Sequence, residues 1–296
     1  MSEAGDPSTR LSPMLETVSG MREIVQGQTR QVDKCLHLLK MHRDGELTLP
    51  DGDDVVFGVI LTMIHMVGIS GHSLLKMTDE ISLGVKDAYP IARSIVEGAI
   101  NTCYIMAAGP EAAKKAARHE EVKSYRDLNC EWRSGAIEVS VGALGELPQS
   151  ELERLEAMLA EFTTKRGGER NWTDASLNQR LDAVSEAFSS NAMILLNASA
   201  FNIYRHASEV VHASYFSARF FWGLTLPGRP APSRAEDLKL TLADHQFSVL
   251  MSAIFAYAGL IECFSAYIRR PELITEVNAV LGQLANLPAV AEALGE

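Results

Sequence analysis

The chain has 296 residues, 47% of them apolar, enough to bury a sizeable core in one large or two modest domains. Its formal net charge of −11 opposes nonspecific coating of nucleic acid or anionic membrane, although Lys114–Arg133 and Lys165–Arg180 lean positive. The four cysteines, Cys35, Cys103, Cys130 and Cys263, follow no CxxC spacing, and Met1–Arg10 lacks a signal-peptide pattern, so a cytoplasmic protein with reduced thiols is expected.

Met1–Arg10 is small and polar and is expected to be disordered, leaving residues 11–296 as a single helical-bundle domain. Ser12-Pro13 opens a helix that runs to about Met41. A turn follows at Leu49–Asp53, and a second helix covers about Asp54–Lys76, apolar nearly all round and therefore expected to be buried. Its apolar run Val55–Ile69 is shorter than a membrane span needs. A third helix, about Asp87–Ala108, is apolar except for Arg93, Glu97, Asn101 and Tyr104, which share one side. It reads as a buried helix with a polar seam, stopped by Gly109-Pro110.

The fourth helix is expected from Pro110 to about Val141, a break at Gly142–Pro148, and a short helix at Ser150–Phe162. Thr163–Asp174 is a basic loop with Lys165, Arg166, Arg170 and an exposed-looking Trp172, a candidate binding loop. Helix resumes over Thr173–Ala187, and Asn191–Leu224 forms a long central helix. The proline-rich stretch 227–233 is a hinge before Arg234–Ile268 and a last helix, Pro271–Leu294. Phe247–Ile268 is long enough to span a membrane but holds Glu262, costly within a bilayer, so no membrane span is expected. Neither strand-period alternation nor an internal repeat stands out, and the fold class is all-α, a multi-helix bundle of about seven or eight helices.

On the central helix, Ile203, Ala207, Val210 and Ser214 share a small-residue packing face, while Arg205, Ser208, Glu209 and His212 share the opposite one. Ala198, Phe201 and Phe216 fall on the same stripe as that polar cluster, so it is expected to face another helix or another chain. Glu97 and Arg93 on a neighbouring helix would join Tyr204, Ser208 and His212 in one network that either fixes helix register or orients His212.

No GxxxxGK[ST], GxGxxG or GxSxG pattern occurs, and no cofactor is expected. A metal reading would draw on His65, His72, Glu209 and His212, but only one Glu-x-x-His motif is present where a di-iron bundle needs two. Arg205 and His212 suit metal-free phosphodiester cleavage, the arginine clamping phosphate and the histidine moving a proton.

Arg205-His206-x5-His212 resembles the Arg-polar-x4-5-His signature of the HEPN superfamily. That resemblance implies a dimeric, metal-independent endoribonuclease or RNA-binding effector of a toxin or defence system, with Arg205 and His212 catalytic and paired across the dimer. A second resemblance spans roughly residues 55–265. Arg93-Ser94-x-x-Glu97, the loop Trp172 and Tyr204-x3-Ser208-x2-His212-x-Ser214 are similar to a family of bacterial helical proteins of unknown function, which implies no activity. The rival to the ribonuclease reading is a non-catalytic interaction module, a homodimer or a protein-binding unit whose partner surface is the Trp172 loop.

Overall fold

The computed structural model describes residues 7–43, 54–142, 145, 147–224 and 231–295. In chain order the elements are α1 (Pro7–Arg43), α2 (Asp54–Met77), α3 (Val85–Ala108), α4 (Pro110–Leu128), β1 (Asn129–Ser134), β2 (Ile137–Gly142), α5 (Gln149–Glu161), α6 (Leu177–Ala187), α7 (Ser190–Val211), α8 (Tyr215–Phe221), α9 (Ala235–Tyr267), α10 (Glu272–Ala285) and α11 (Pro288–Leu294). The fold is mostly helical, as expected, but the described residues hold eleven helices rather than seven or eight.

Helix α9 organises them. It has no polar face, and 22 of its 33 residues are buried, which is stable only when other helices surround it. α1, α3, α7 and α10 pack around it. Two close approaches depend on missing side chains. A Cβ at Gly71 of α2 would collide with the Tyr257 hydroxyl, which donates to the Val67 carbonyl at 3.2 Å. A Cβ at Gly259 would lie 2.7 Å from Leu196 Cγ of α7.

Several polar groups reach α9 and bond there, although Gln28 Oε1 and Gln246 Oε1 are buried without a partner. Gln28 Nε2 donates to the Ile254 carbonyl at 3.0 Å and Asn202 Nδ2 to Ser252 Oγ at 2.8 Å. The Glu262 carboxylate is buried and accepts from Ser189 Oγ at 2.5 Å and Asn191 Nδ2 at 2.6 Å, the residues that open α7. By length and composition α2 and α9 are both apolar enough to cross a membrane. Of the spanning windows, 78% of that in α9 is buried inside the protein, but only 39% of that in α2.

Several boundaries differ from the sequence expectation. α1 begins at Pro7, with Pro13 inside it, so residues 7–10 are helical rather than disordered. α2 is not buried all round: Val55, Met66, Ile69, His65 and His72 lie on an exposed face. The last helix divides at Pro288, which opens α11 without a backbone N–H to continue the preceding hydrogen-bond ladder. The turn at Leu49–Asp53 lies outside the described residues, as does the hinge apart from residues 231–233.

The largest departure follows α4, which ends at Leu128 rather than Val141. β1 and β2 form an antiparallel hairpin joined at Gly135-Ala136, with Gly135 at φ +60°, the backbone a tight two-residue hairpin loop requires. Trp132 pairs with Val139, Cys130 with Val141 and Ser134 with Ile137, which puts these six residues on one face. Every strand residue is exposed, Trp132 at 57%, so this amphipathic hairpin leaves its apolar face uncovered among the described residues.

The two glycine contexts give a paired expectation. Gly71→Ala should destabilise by about 1–3 kcal/mol through overpacking against Tyr257. Gly58→Ala, where an added Cβ meets nothing within 4 Å, should be neutral or stabilise by up to about 1 kcal/mol. Urea unfolding midpoints of the two variants check this.

Candidate functional site

α3 packs beside α7, as the paired motifs anticipated. Arg93 Nε donates to Glu97 Oε1 at 2.9 Å, and the Arg93 guanidinium lies 5.4 Å from the centroid of the Tyr204 ring. Burial, reinforced by the negative charge of Glu97, pushes the Tyr204 hydroxyl up to about 12. A member absent from the sequence expectation completes the seam: Arg180 of α6 donates to Asn101 Oδ1 and opposes the rise at Tyr204 with its charge. Tyr104 ends the seam against Trp172, ring centroids 5.9 Å apart.

Two parts of the expectation change here. The seam is half-buried, with 32% of the Arg93 side chain and 40% of Glu97 exposed. It also stops at Tyr204. His212 follows eight residues later, just over two turns or about 12 Å along the axis, and neither Ser208 nor His212 makes a side-chain bond to the seam.

Arg205 and His212 lie instead on an exposed stripe of α7 with Phe201, which is 89% exposed. The helix does not continue to Leu224. Ala213 N–H donates to the Val210 carbonyl at 3.1 Å and Ser214 N–H to the Glu209 carbonyl at 3.3 Å, with Ala213 at φ +48°. This is a Schellman ending with His212 as cap residue and alanine where glycine is favoured. Ser214 then caps α8, accepting from Ser217 N–H and donating to the Glu209 carboxylate at 2.5 Å.

Beneath α8 lies a histidine–aromatic cluster that the sequence reading missed. His206 stacks on Phe220, ring centroids 4.2 Å apart, and its Nδ1 is buried without a hydrogen-bond partner. His245 of α9 donates from Nε2 to the Phe221 carbonyl at 3.0 Å, so its Nδ1 accepts from the Tyr89 hydroxyl at 2.8 Å. Burial pushes both histidines below their ordinary 6.5, helped at His206 by the charge of Arg205. Only adjacency to Arg205 drew attention to His206 in the sequence, and nothing there pointed to His245.

The first of the two basic stretches is largely neutralised. Within Lys114–Arg133, Lys114 pairs with Glu111, Lys115 with Asp174, Arg118 with Glu161, Lys123 and Arg126 with Glu169, and Arg133 with Glu138. Lys165, Arg166 and Arg170 are exposed, but Trp172 is half-buried against Tyr104 rather than displayed to a partner. Among the described residues no group of three or more His, Cys, Asp or Glu could hold a metal ion. His65 and His72 face outward from α2, His72 3.8 Å from Asp33, so they do not gather with Glu209 and His212.

Ala213→Gly should raise stability by about 0.5–1 kcal/mol by removing the Cβ from a left-handed position, read as a higher urea midpoint. The depressed histidines set a pH window. The unfolded chain takes up protons at 6.5 that folded His206 and His245 resist, so their contribution is complete above 6.5 and is lost as pH falls through the lowered folded values. Stability should therefore drop between pH 7 and roughly pH 5, and His206→Gln should flatten that slope in unfolding midpoints taken across the range.

No curated protein and no solved structure matches the chain. The model of a family of unknown function, DUF5677, matches residues 73–227, from the last turns of α2 through α8 and just over half of the sequence. The matched span contains Arg93, Glu97, Arg180, Tyr204, Arg205 and His212. The chain thus belongs to the family of unknown function DUF5677.

Proposed function

We propose that the protein is a cytoplasmic, HEPN-like, metal-independent endoribonuclease that acts as a homodimer, with Arg205 as phosphate clamp and His212 as proton-transfer group. The observation that carries this reading is the exposure of both residues on one stripe of α7 beside Phe201. A structural polar cluster would instead be buried and satisfied. Seven residues separate the two along α7, about 10.5 Å of rise, and both side chains lean toward the helix N-terminus, so the lean does not close that gap. One copy of the helix therefore does not bring both groups to one phosphate.

A two-fold axis between Ser208 and Glu209, pairing α7 antiparallel with its mate, sets Arg205 of one copy opposite His212 of the other. It also turns the exposed Phe201 toward the α8 end of the second copy, where Tyr215 and Phe216 are exposed. His212 then takes the proton of the attacking 2′-hydroxyl or returns one to the leaving oxygen, while Arg205 stabilises the charge building on the phosphate.

A second reading, a non-catalytic interaction module, is favoured by the uncovered apolar face of the hairpin. One experiment separates them. Arg205→Ala and His212→Ala should each fold normally, because both side chains are exposed, and each should lower RNA cleavage by about 10²–10⁴-fold. Mixing the two variants should restore about a quarter of wild-type activity, since half the random dimers are mixed and each holds one intact composite site of two. No cleavage by the wild type leaves the interaction module, and cleavage without recovery on mixing places the site within one copy.

A further inference from the structure

A cleft of about 390 Å³ opens between the start of α3 and the α7–α8 turn. Val210, Ala218 and Phe221 form its apolar walls, and Leu83 and Trp222, both well exposed, form its lips. That volume lies within the range of small-molecule sites. Its hydroxyls are already engaged: Ser217 Oγ donates to the Ser214 carbonyl at 2.8 Å, and Ser214 Oγ donates to Glu209. Both hydroxyl protons are thus spent within the protein, and the body of an occupant meets no free hydroxyl donor among these described residues.

Among the described residues one charged side chain lines the cleft, that of Lys86. Its ammonium lies 2.5 Å from Asp87 Oδ1, but that pair is exposed and Asp87 does not line the cleft. Exposed pairs of this kind are worth little and yield to a competing anion. Ala213, held at φ +48°, also lines the cleft.

We propose that this cleft binds a small apolar monocarboxylate, with its aliphatic or aryl body between Leu83 and Trp222 and its carboxylate on Lys86. The assignment rests on the apolar lining and on Lys86, the one cation among the described lining residues, and it is independent of the RNA reading.

Octanoate and 1-octanol, which share a tail and differ in the head group, are the probes, measured by titration calorimetry on the full chain. Octanoate should bind the wild type, and at least about tenfold more tightly than octanol, as expected when a charged hydrogen bond is made in one case alone. Ala218→Phe fills the cleft from an exposed position of α8 and should abolish binding without lowering the melting temperature. Lys86→Met should weaken octanoate about tenfold while leaving octanol unchanged. The proposal is overturned if the wild type binds no octanoate, if Ala218→Phe binds it as before, or if the two probes bind equally.

Discussion

The structure depends on burying α9 on every side. A helix without a polar face cannot sit at a surface, so the other elements must supply both apolar walls and partners for its polar atoms. That requirement explains the placement of Gln28, Asn202, Ser189 and Asn191, each from another helix and each bonded to α9. It also explains Gly71 and Gly259, which mark where neighbouring helices approach too closely for a side chain. α7 is tied to α9 at both ends, by Glu262 near its start and by the His206–Phe220–His245 stack near its finish. The exposed stripe of α7 is therefore displayed from a rigid support.

Two polar features that look continuous in sequence have separate physical roles. The Arg93–Glu97–Tyr204 seam, closed by Arg180 and Asn101, links three helices where α3, α6 and α7 meet, although Arg180 Nε is left without a partner. Arg205 and His212 point away from it into solvent. Because the cations of α4 are spent on neighbouring carboxylates, no broad basic field accompanies that stripe, and an anionic substrate would be gripped locally rather than steered from afar.

Periodicity made much of this legible. The one-sided polar seam of α3 follows from spacing at 3.6 residues, the apolar character of α9 from composition, and the packing of α3 on α7 from the need of Glu97 for partners. The hairpin escaped the sequence reading, although Cys130-Glu131-Trp132-Arg133 and Ile137-Glu138-Val139-Ser140-Val141 alternate around Ser134-Gly135. Charge continuing from α4 hid it. The break after His212 was not legible, because alanine occupies a position where glycine announces a helix end. Arg180 and His245 join their sites through tertiary packing, and no local pattern marks a residue that meets its partner 79 or 156 positions away.

The order in which the elements leave the ribosome gives α9 a further significance. Gln28 and its acceptor Ile254 are 226 residues apart, so at about 5–20 residues per second roughly 10–50 s pass between synthesis of α1 and of the helix it wraps. Through that interval the inner faces of α1, α2, α3 and α7 have no central helix to close on. Local helices and the α1–α2, α2–α3 and α3–α7 contacts can form, but the faces turned toward α9 stay uncovered until α9 emerges. A premature stop before α9 removes the central helix together with α10, and leaves α1, α3 and α7 with nothing to enclose.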